Sequence, residues 1–228
     1  MTRVGVVLSG CGHLDGSEIH EAVLSLYFLD RAGAHVVCFA PDVSQRDVVD
    51  HATGKPTGET RNVLREAARI ARGKIQPLSK AHAHDLDALF LPGGFGAAKN
   101  LSDFALAGAD ATAHSELVRL VREVHAAHKP IGAVCIAPAV LAACFRGTGV
   151  HPLLTVGAKG GASDALGAME SRPQACTVEH CVVDEVNRIV TAPAYMYDAR
   201  ISQVALGIEQ AVAALMRLAV RPASAVRS

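Results

Sequence analysis

A chain of 228 residues is long enough to bury one substantial core, and with half of them hydrophobic it is excluded from the disordered class. Twenty-two Lys and Arg balance twenty-two Asp and Glu, so the formal net charge is zero and the basic footprint that nucleic acid or an anionic membrane would require is missing. A small neutral partner is expected instead. The opening MTRVGVVLSG lacks the apolar segment and cleavage site of a secretory signal, and no apolar run is read as reaching spanning length, so a cytoplasmic protein is expected. Six cysteines without a CxxC pair or a zinc-like histidine spacing are read as free thiols, with no metal and no cofactor.

In chain order, RVGVVLS reads as a buried first strand that ends in the loop GCGHLDG. A helix from about Ser17 to Ala32 follows, then a second strand in AHVVCFAP. Residues 41–60 carry Pro, Asp and Gly without a period and are expected to fold back as an excursion. ETRNVLREAARIAR keeps Val63, Leu64, Ala67, Ala68, Ile70 and Ala71 on one helical face. LDALFLPGGFG is a strand running into a glycine turn, HSELVRLVREVHAAH an amphipathic helix, and PIGAVC the strand that delivers Cys135. Residues 146–179 show no clear period. HCVVDEVNRIVTAP resembles a hairpin turned at Asp184 to Asn187, and DARISQVALGIEQAVAALMRLAV a long last helix. Strands alternating with amphipathic helices predict an α/β fold, a mostly parallel central sheet with helices on both faces. One domain over residues 1–220 is expected, with a frayed tail at 221–228.

Chemistry concentrates around KPIGAVCIAPAV. A nucleophile elbow needs small residues two before and two after the nucleophile, and Ala133 and Ala137 occupy those places around Cys135. Pro138 suits the first turn of a helix, and a thiol at a helix N-terminus is expected to have a lowered pKa. The bland alternative, a buried cysteine closing a central strand, stays open on this stretch alone.

In an open parallel sheet ligands bind at the carboxyl ends of the strands, and three other loops leave such ends. In SGCGHLDGSEIHE, Glu18 is either the N3 member of a capping box with Asp15 as N-cap, or a proton shuttle beside the thiol. In LPGGFGAAKN the amides of Gly94 and Gly93, with that of Ile136, are candidate oxyanion donors, while a phosphate loop is set aside because GxxxxGK[ST] is absent. TAPAYMYDA offers Tyr195, Met196 and Tyr197 either as pocket residues or as packing ahead of the last helix. Asn100 and His13 are further pocket candidates, and His13, His20 and His180 are positional candidates for a base.

Taken together, GVVLSGCGxxDGSEIHEA, CFAPD, TRNVLxEAARI, PGGFGAAKNL, CIAPA and IVTxPAYM resemble the ElbB branch of the ThiJ/PfpI superfamily, the class I glutamine-amidotransferase-like proteins. The resemblance runs from residue 3 to about 145 and resumes from about 181. It implies a flavodoxin-like three-layer sandwich, Cys135 as the elbow nucleophile, Glu18 as the acidic residue contacting its sulfur, and Pro92 to Gly94 as the oxyanion loop. It also implies a homodimer and a glyoxalase III-like activity that converts small α-oxoaldehydes, such as methylglyoxal or glyoxal, to hydroxy acids without glutathione or metal. Ile136 stands where many superfamily enzymes have histidine, so no base is supplied next to the cysteine. The alternative function is a redox-responsive protein regulated by oxidation of Cys135. A glutaminase is not expected, because TAPAYMYDA lacks the required His and Glu.

Overall fold

The computed structural model describes residues 1–220. The segment 221–228, expected as a frayed tail, lies outside the described residues.

The chain opens with strand β1 (Arg3–Val7) and helix α1 (Ile19–Arg31), followed by β2 (His35–Ala40). The excursion at 41–60 contains a short antiparallel pair, β3 (Val49–Asp50) and β4 (Lys55–Pro56). Helix α2 (Val63–Ile70) starts where the Asn62 side chain accepts the Arg65 amide, and β5 (Ile75–Pro77) follows. Next come β6 (Ala88–Leu91), the short helices α3 (Phe95–Lys99) and α4 (Phe104–Ala107), helix α5 (Ser115–Ala126) and β7 (Ile131–Val134). Helix α6 (Ala137–Phe145) carries Pro138 in its first turn.

The stretch without a sequence period, 146–179, folds as β8 (Leu153–Leu154), α7 (Ala162–Ala168) and β9 (Arg172–Pro173), elements too short for a period to register. Strands β10 (Val182–Asp184) and β11 (Ile189–Ala192) form the expected hairpin, its turn fixed by Asp184 Oδ1 accepting the Asn187 amide. Helix α8 (Ile201–Val220) ends the described chain.

Seven strands form one sheet in the order β10-β11-β7-β6-β1-β2-β5, parallel at every junction except β10–β11. β1, β6, β7 and β11 are almost wholly buried because helices cover both faces, which is why they read as apolar runs without alternation. Strand residues divide by face: Val7, Leu89, Leu91, Ile131 and Ala133 pack beneath α5 and α6, whereas Val4, Val6, Ala88, Phe90 and Val134 pack beneath α1 and α8. The parallel sheet with helices on both faces is the one anticipated from the strand and helix pattern, and the sandwich is flavodoxin-like, as the resemblance implies.

One expectation needs correction. At 20 residues and a mean hydropathy of 1.3, α8 is long and apolar enough to cross a membrane, although no run was read as reaching that length. Here it acts as a core helix, with Val204, Ile208, Ala211, Val212, Leu215 and Leu218 buried against α1 and the sheet.

The strand order reverses between β1 and β6, since the chain moves outward through β2 on one side and through β7 on the other. A crevice at the carboxyl ends of the strands is therefore expected there. The loops after β1, β6, β7 and β11 all reach it.

Candidate active site

Cys135 follows β7 directly and adopts φ +61°, a left-handed conformation that a non-glycine residue takes only when its surroundings impose it. The strand hydrogen bond from the Cys135 amide to Ala192 O and the start of α6 two residues later impose it here. The sulfur is thereby turned out of the sheet toward the crevice. The residue is only 7% exposed.

The carboxyl beside the sulfur belongs to Glu21. Its side chain is fully buried and hydrogen-bonded to the Cys135 thiol, with the Gly93 amide donating to Oε2 at 3.0 Å and the Tyr195 amide to Oε1 at 3.2 Å. The expectation that Glu18 contacts the thiol is corrected by one helical turn. Glu18 is itself the N-cap of α1, and its Oε2 accepts the Glu21 amide at 2.6 Å. Asp15, expected as that cap, instead accepts the Val49 amide and ties down the excursion. Helix α1 thus starts at Ile19, and Glu21 shares the buried face with Ala22, Ser25 and Leu29. That spacing of i, i+1, i+4 and i+8 was the available signal.

Two amides aim at the sulfur, those of Gly94 and Ile136. Gly94 holds φ +92°, and a Cβ there would stand 2.3 Å from the Glu18 amide nitrogen. Gly93 is confined more tightly: its Cβ would fall 2.4 Å from Cys135 Cβ and 2.7 Å from Glu21 Oε2. Because the Gly93 amide is given to Glu21, it is no oxyanion donor, which leaves Gly94 and Ile136 in that position.

Electrostatics also depart from expectation. Burial, then the charge of Glu18, pushes the Glu21 carboxyl up to about 8. Burial and the neighbouring Glu21 hold the Cys135 thiol well above its ordinary range, outweighing the Gly94 and Ile136 amides that favour thiolate. The low thiol pKa expected from the helix N-terminus is therefore not found. Near neutral pH the pair holds both protons, and its carboxylate form accepts from the thiol.

The crevice above the sulfur has a volume of about 600 Å³. His13, Glu18, His20 and Tyr195 contribute to its wall, with His20 Nδ1 2.8 Å from the Tyr195 hydroxyl. Asn100, expected in the pocket, is not there. Its Nδ2 donates to Ser9 O and Asp15 O, and its Oδ1 accepts the Arg46 amide, so the side chain is used up in holding three loops together. His180 lies away from the crevice against Gln210. Sequence reasoning passed over Phe95 and Phe104, whose positions in the wall depend on the short helices after β6, whereas Met196, read from TAPAYMYDA, does line it, and Tyr197 instead donates its hydroxyl to Cys176 O.

These features define a class: α/β sandwich proteins with a cysteine on a strand-to-helix elbow, faced by a buried carboxyl from the helix after the first strand. The chain belongs to the DJ-1/PfpI family, whose model matches residues 13–197. Over 227 residues it is 47% identical to the Homo sapiens glutamine amidotransferase-like class 1 domain-containing protein 3, mitochondrial, covering 95% of this chain and 83% of the relative. The ES1 protein homolog, mitochondrial, of Rattus norvegicus is 46% identical, with 95% and 84% covered. A solved structure of an isoprenoid biosynthesis protein with an amidotransferase-like domain from Ehrlichia chaffeensis superposes with a TM-score of 0.90 at 38% identity, covering 96% of this chain and 99% of that one. The Rapid Encystment Protein 24 KDa of Francisella tularensis shares the fold, with a TM-score of 0.64 at 13% identity over 97% of this chain and 100% of that one. Because the human and rat relatives are both named as mitochondrial proteins, the cytoplasmic expectation is withdrawn.

Proposed function

We propose that this protein is a cofactor-independent glyoxalase that converts an α-oxoaldehyde and water to the corresponding 2-hydroxy acid at Cys135. The observation that carries this reading is the hydrogen-bonded Cys135–Glu21 pair, with Cys135 lining the crevice and the Glu21 carboxyl buried behind it. A nucleophile adjacent to a group that can take its proton is the requirement for covalent catalysis, and a carboxyl raised to about 8 is suited to hand protons back and forth near neutrality.

In the first step the thiol proton passes to the Glu21 carboxylate as sulfur bonds to the aldehyde carbon, and the carbonyl oxygen becomes an oxyanion. The amides of Gly94 and Ile136, which hydrogen-bond the sulfur in the free protein, would turn to that oxyanion in this reading. Glu21 returns its proton to the oxygen, giving a hemithioacetal. Its carboxylate then takes the proton from the former aldehyde carbon and delivers it to the neighbouring carbonyl oxygen, giving an enediol, and transfer of the first carbon's hydroxyl proton through Glu21 to the second carbon leaves a thioester of the hydroxy acid. Water cleaves the thioester and restores the thiol. In this reading the His20–Tyr195 pair in the crevice wall would orient that water, and the Tyr195 amide donates to Glu21.

The redox-responsive alternative asks for a thiol that ionises readily, and burial beside a carboxyl opposes this at Cys135. Product formation from methylglyoxal, followed by proton NMR, tests the proposal. Lactate is expected from the unmodified protein and none from Cys135→Ala. Equal lactate from both proteins would overturn it.

A further inference from the structure

The crevice is far larger than the reacting atoms require. Sites of about 300–1,000 Å³ bury ligands of drug size, and about 600 Å³ places this one well inside that range. Methylglyoxal, whose one substituent is a methyl group, would leave most of the space unfilled.

The wall that would remain uncovered is apolar. Phe95 and Ala98 come from α3, Phe104 and Ala105 from α4, and Ile136 and Met196 from the loops after β7 and β11. Phe95 is 50% exposed despite its size, so its ring holds apolar surface toward solvent at the mouth of the crevice. Covering such surface is favourable in proportion to the apolar area removed from water. No Lys or Arg lines the crevice among the described residues, whereas Glu18 does. An anionic substrate would therefore meet the Glu18 carboxylate with no Lys or Arg in the wall to offset it, the nearby Lys99, over the Phe95 ring, being paired with Asp47.

We infer that the crevice takes an uncharged α-oxoaldehyde bearing a bulky apolar substituent, aryl or branched alkyl, with the oxoaldehyde at Cys135 and the substituent against Phe95, Phe104 and Met196. This substrate class rests on the glyoxalase reading for its chemistry. The shape and polarity of the wall are independent of that reading. The same lack of Lys and Arg in the wall favours release of the product, which leaves as a carboxylate beside Glu18.

Two measurements separate the claims. In steady-state assays, phenylglyoxal is expected to show at least a tenfold higher kcat/KM than methylglyoxal, and 4-carboxyphenylglyoxal at least a tenfold lower kcat/KM than phenylglyoxal. Phe104→Ala is expected to reduce the phenylglyoxal to methylglyoxal ratio at least threefold. Turnover of all three compounds with no such preference would overturn the substrate class and leave the glyoxalase reading standing. In parallel, NMR titration of the Cys135→Ala protein with unreactive acetophenone and benzoate measures the wall without chemistry. Acetophenone is expected to bind at least tenfold more tightly than benzoate and to shift the resonances of Phe104 and Met196. If no α-oxoaldehyde is turned over but acetophenone binds so, the glyoxalase reading fails and the neutral, apolar ligand class is supported. Benzoate binding as tightly as acetophenone would overturn that class.

Discussion

At Glu21, burial and the neighbouring charge of Glu18 act in the same direction, and the consequence reaches global stability. The ordinary glutamate value of 4.5 is raised to about 8 in the folded state, so folding favours the protonated acid. The contribution is fully present below pH 4.5. It is lost as the pH rises to about 8, at a slope approaching about 1.4 kcal/mol per pH unit. Urea unfolding from pH 5 to pH 8 should therefore show the wild type losing stability by a few kcal/mol relative to Glu21→Gln, a side chain of the same shape that does not titrate. Parallel stability curves for the two proteins would contradict the raised pKa. Asn100 is governed by hydrogen bonds instead of charge. Asn100→Ala leaves Ser9 O, Asp15 O and the Arg46 amide without their partner, and a loss of about 2–4 kcal/mol in the same measurement is expected.

Whether an element was legible depended on how locally its cause is encoded. The elbow could be read because Ala133, Ala137 and Pro138 are adjacent to Cys135 and act through the backbone. The β6–α3 turn could be read from its glycines. The structure adds why Gly93 tolerates no side chain: the space belongs to Cys135 and Glu21. Gly93→Ala should displace the pair, abolishing turnover while far-ultraviolet circular dichroism keeps its helical signature, and unchanged turnover would show that the packing there is loose. The N-cap of α1 was misread by one turn because Asp15 and Glu18 both have cap chemistry. A contact 34 residues distant, Asp15 with Val49, decides between them. Asn100 was assigned to the pocket for a similar reason, since its partners lie 54 to 91 residues away in sequence.

At the scale of the whole molecule, the strand order follows from apolar runs and short connections, and it brings four loops to one end of the sheet. That convergence joins Glu21, Gly94, Cys135 and Tyr195, which come from loops and helix starts spread across 174 residues. The pattern of strands and helices therefore disclosed where a site would form. Its chemical balance was not legible, because expectations for Cys135 rested on its helix while the dominant influences, burial and Glu21, arise only when the fold brings Glu21 of α1 against Cys135. Residues 146–179 stayed opaque for the opposite reason, being short pieces held by tertiary contacts such as the Asp184 carboxylate accepting the Leu153 amide.

The most direct test of the Cys135–Glu21 pair is the pH profile of kcat/KM for an α-oxoaldehyde in the wild type, Glu21→Gln and Glu18→Gln proteins. Loss of the Glu21 proton supplies the base that activates Cys135, so the wild-type value should climb through pH 8. Glu21→Gln should lose this step and at least 100-fold in rate at pH 8, whereas Glu18→Gln should retain the step. A wild-type profile in Glu21→Gln, or loss of the step in Glu18→Gln alone, would contradict the assignment of Glu21 as the base.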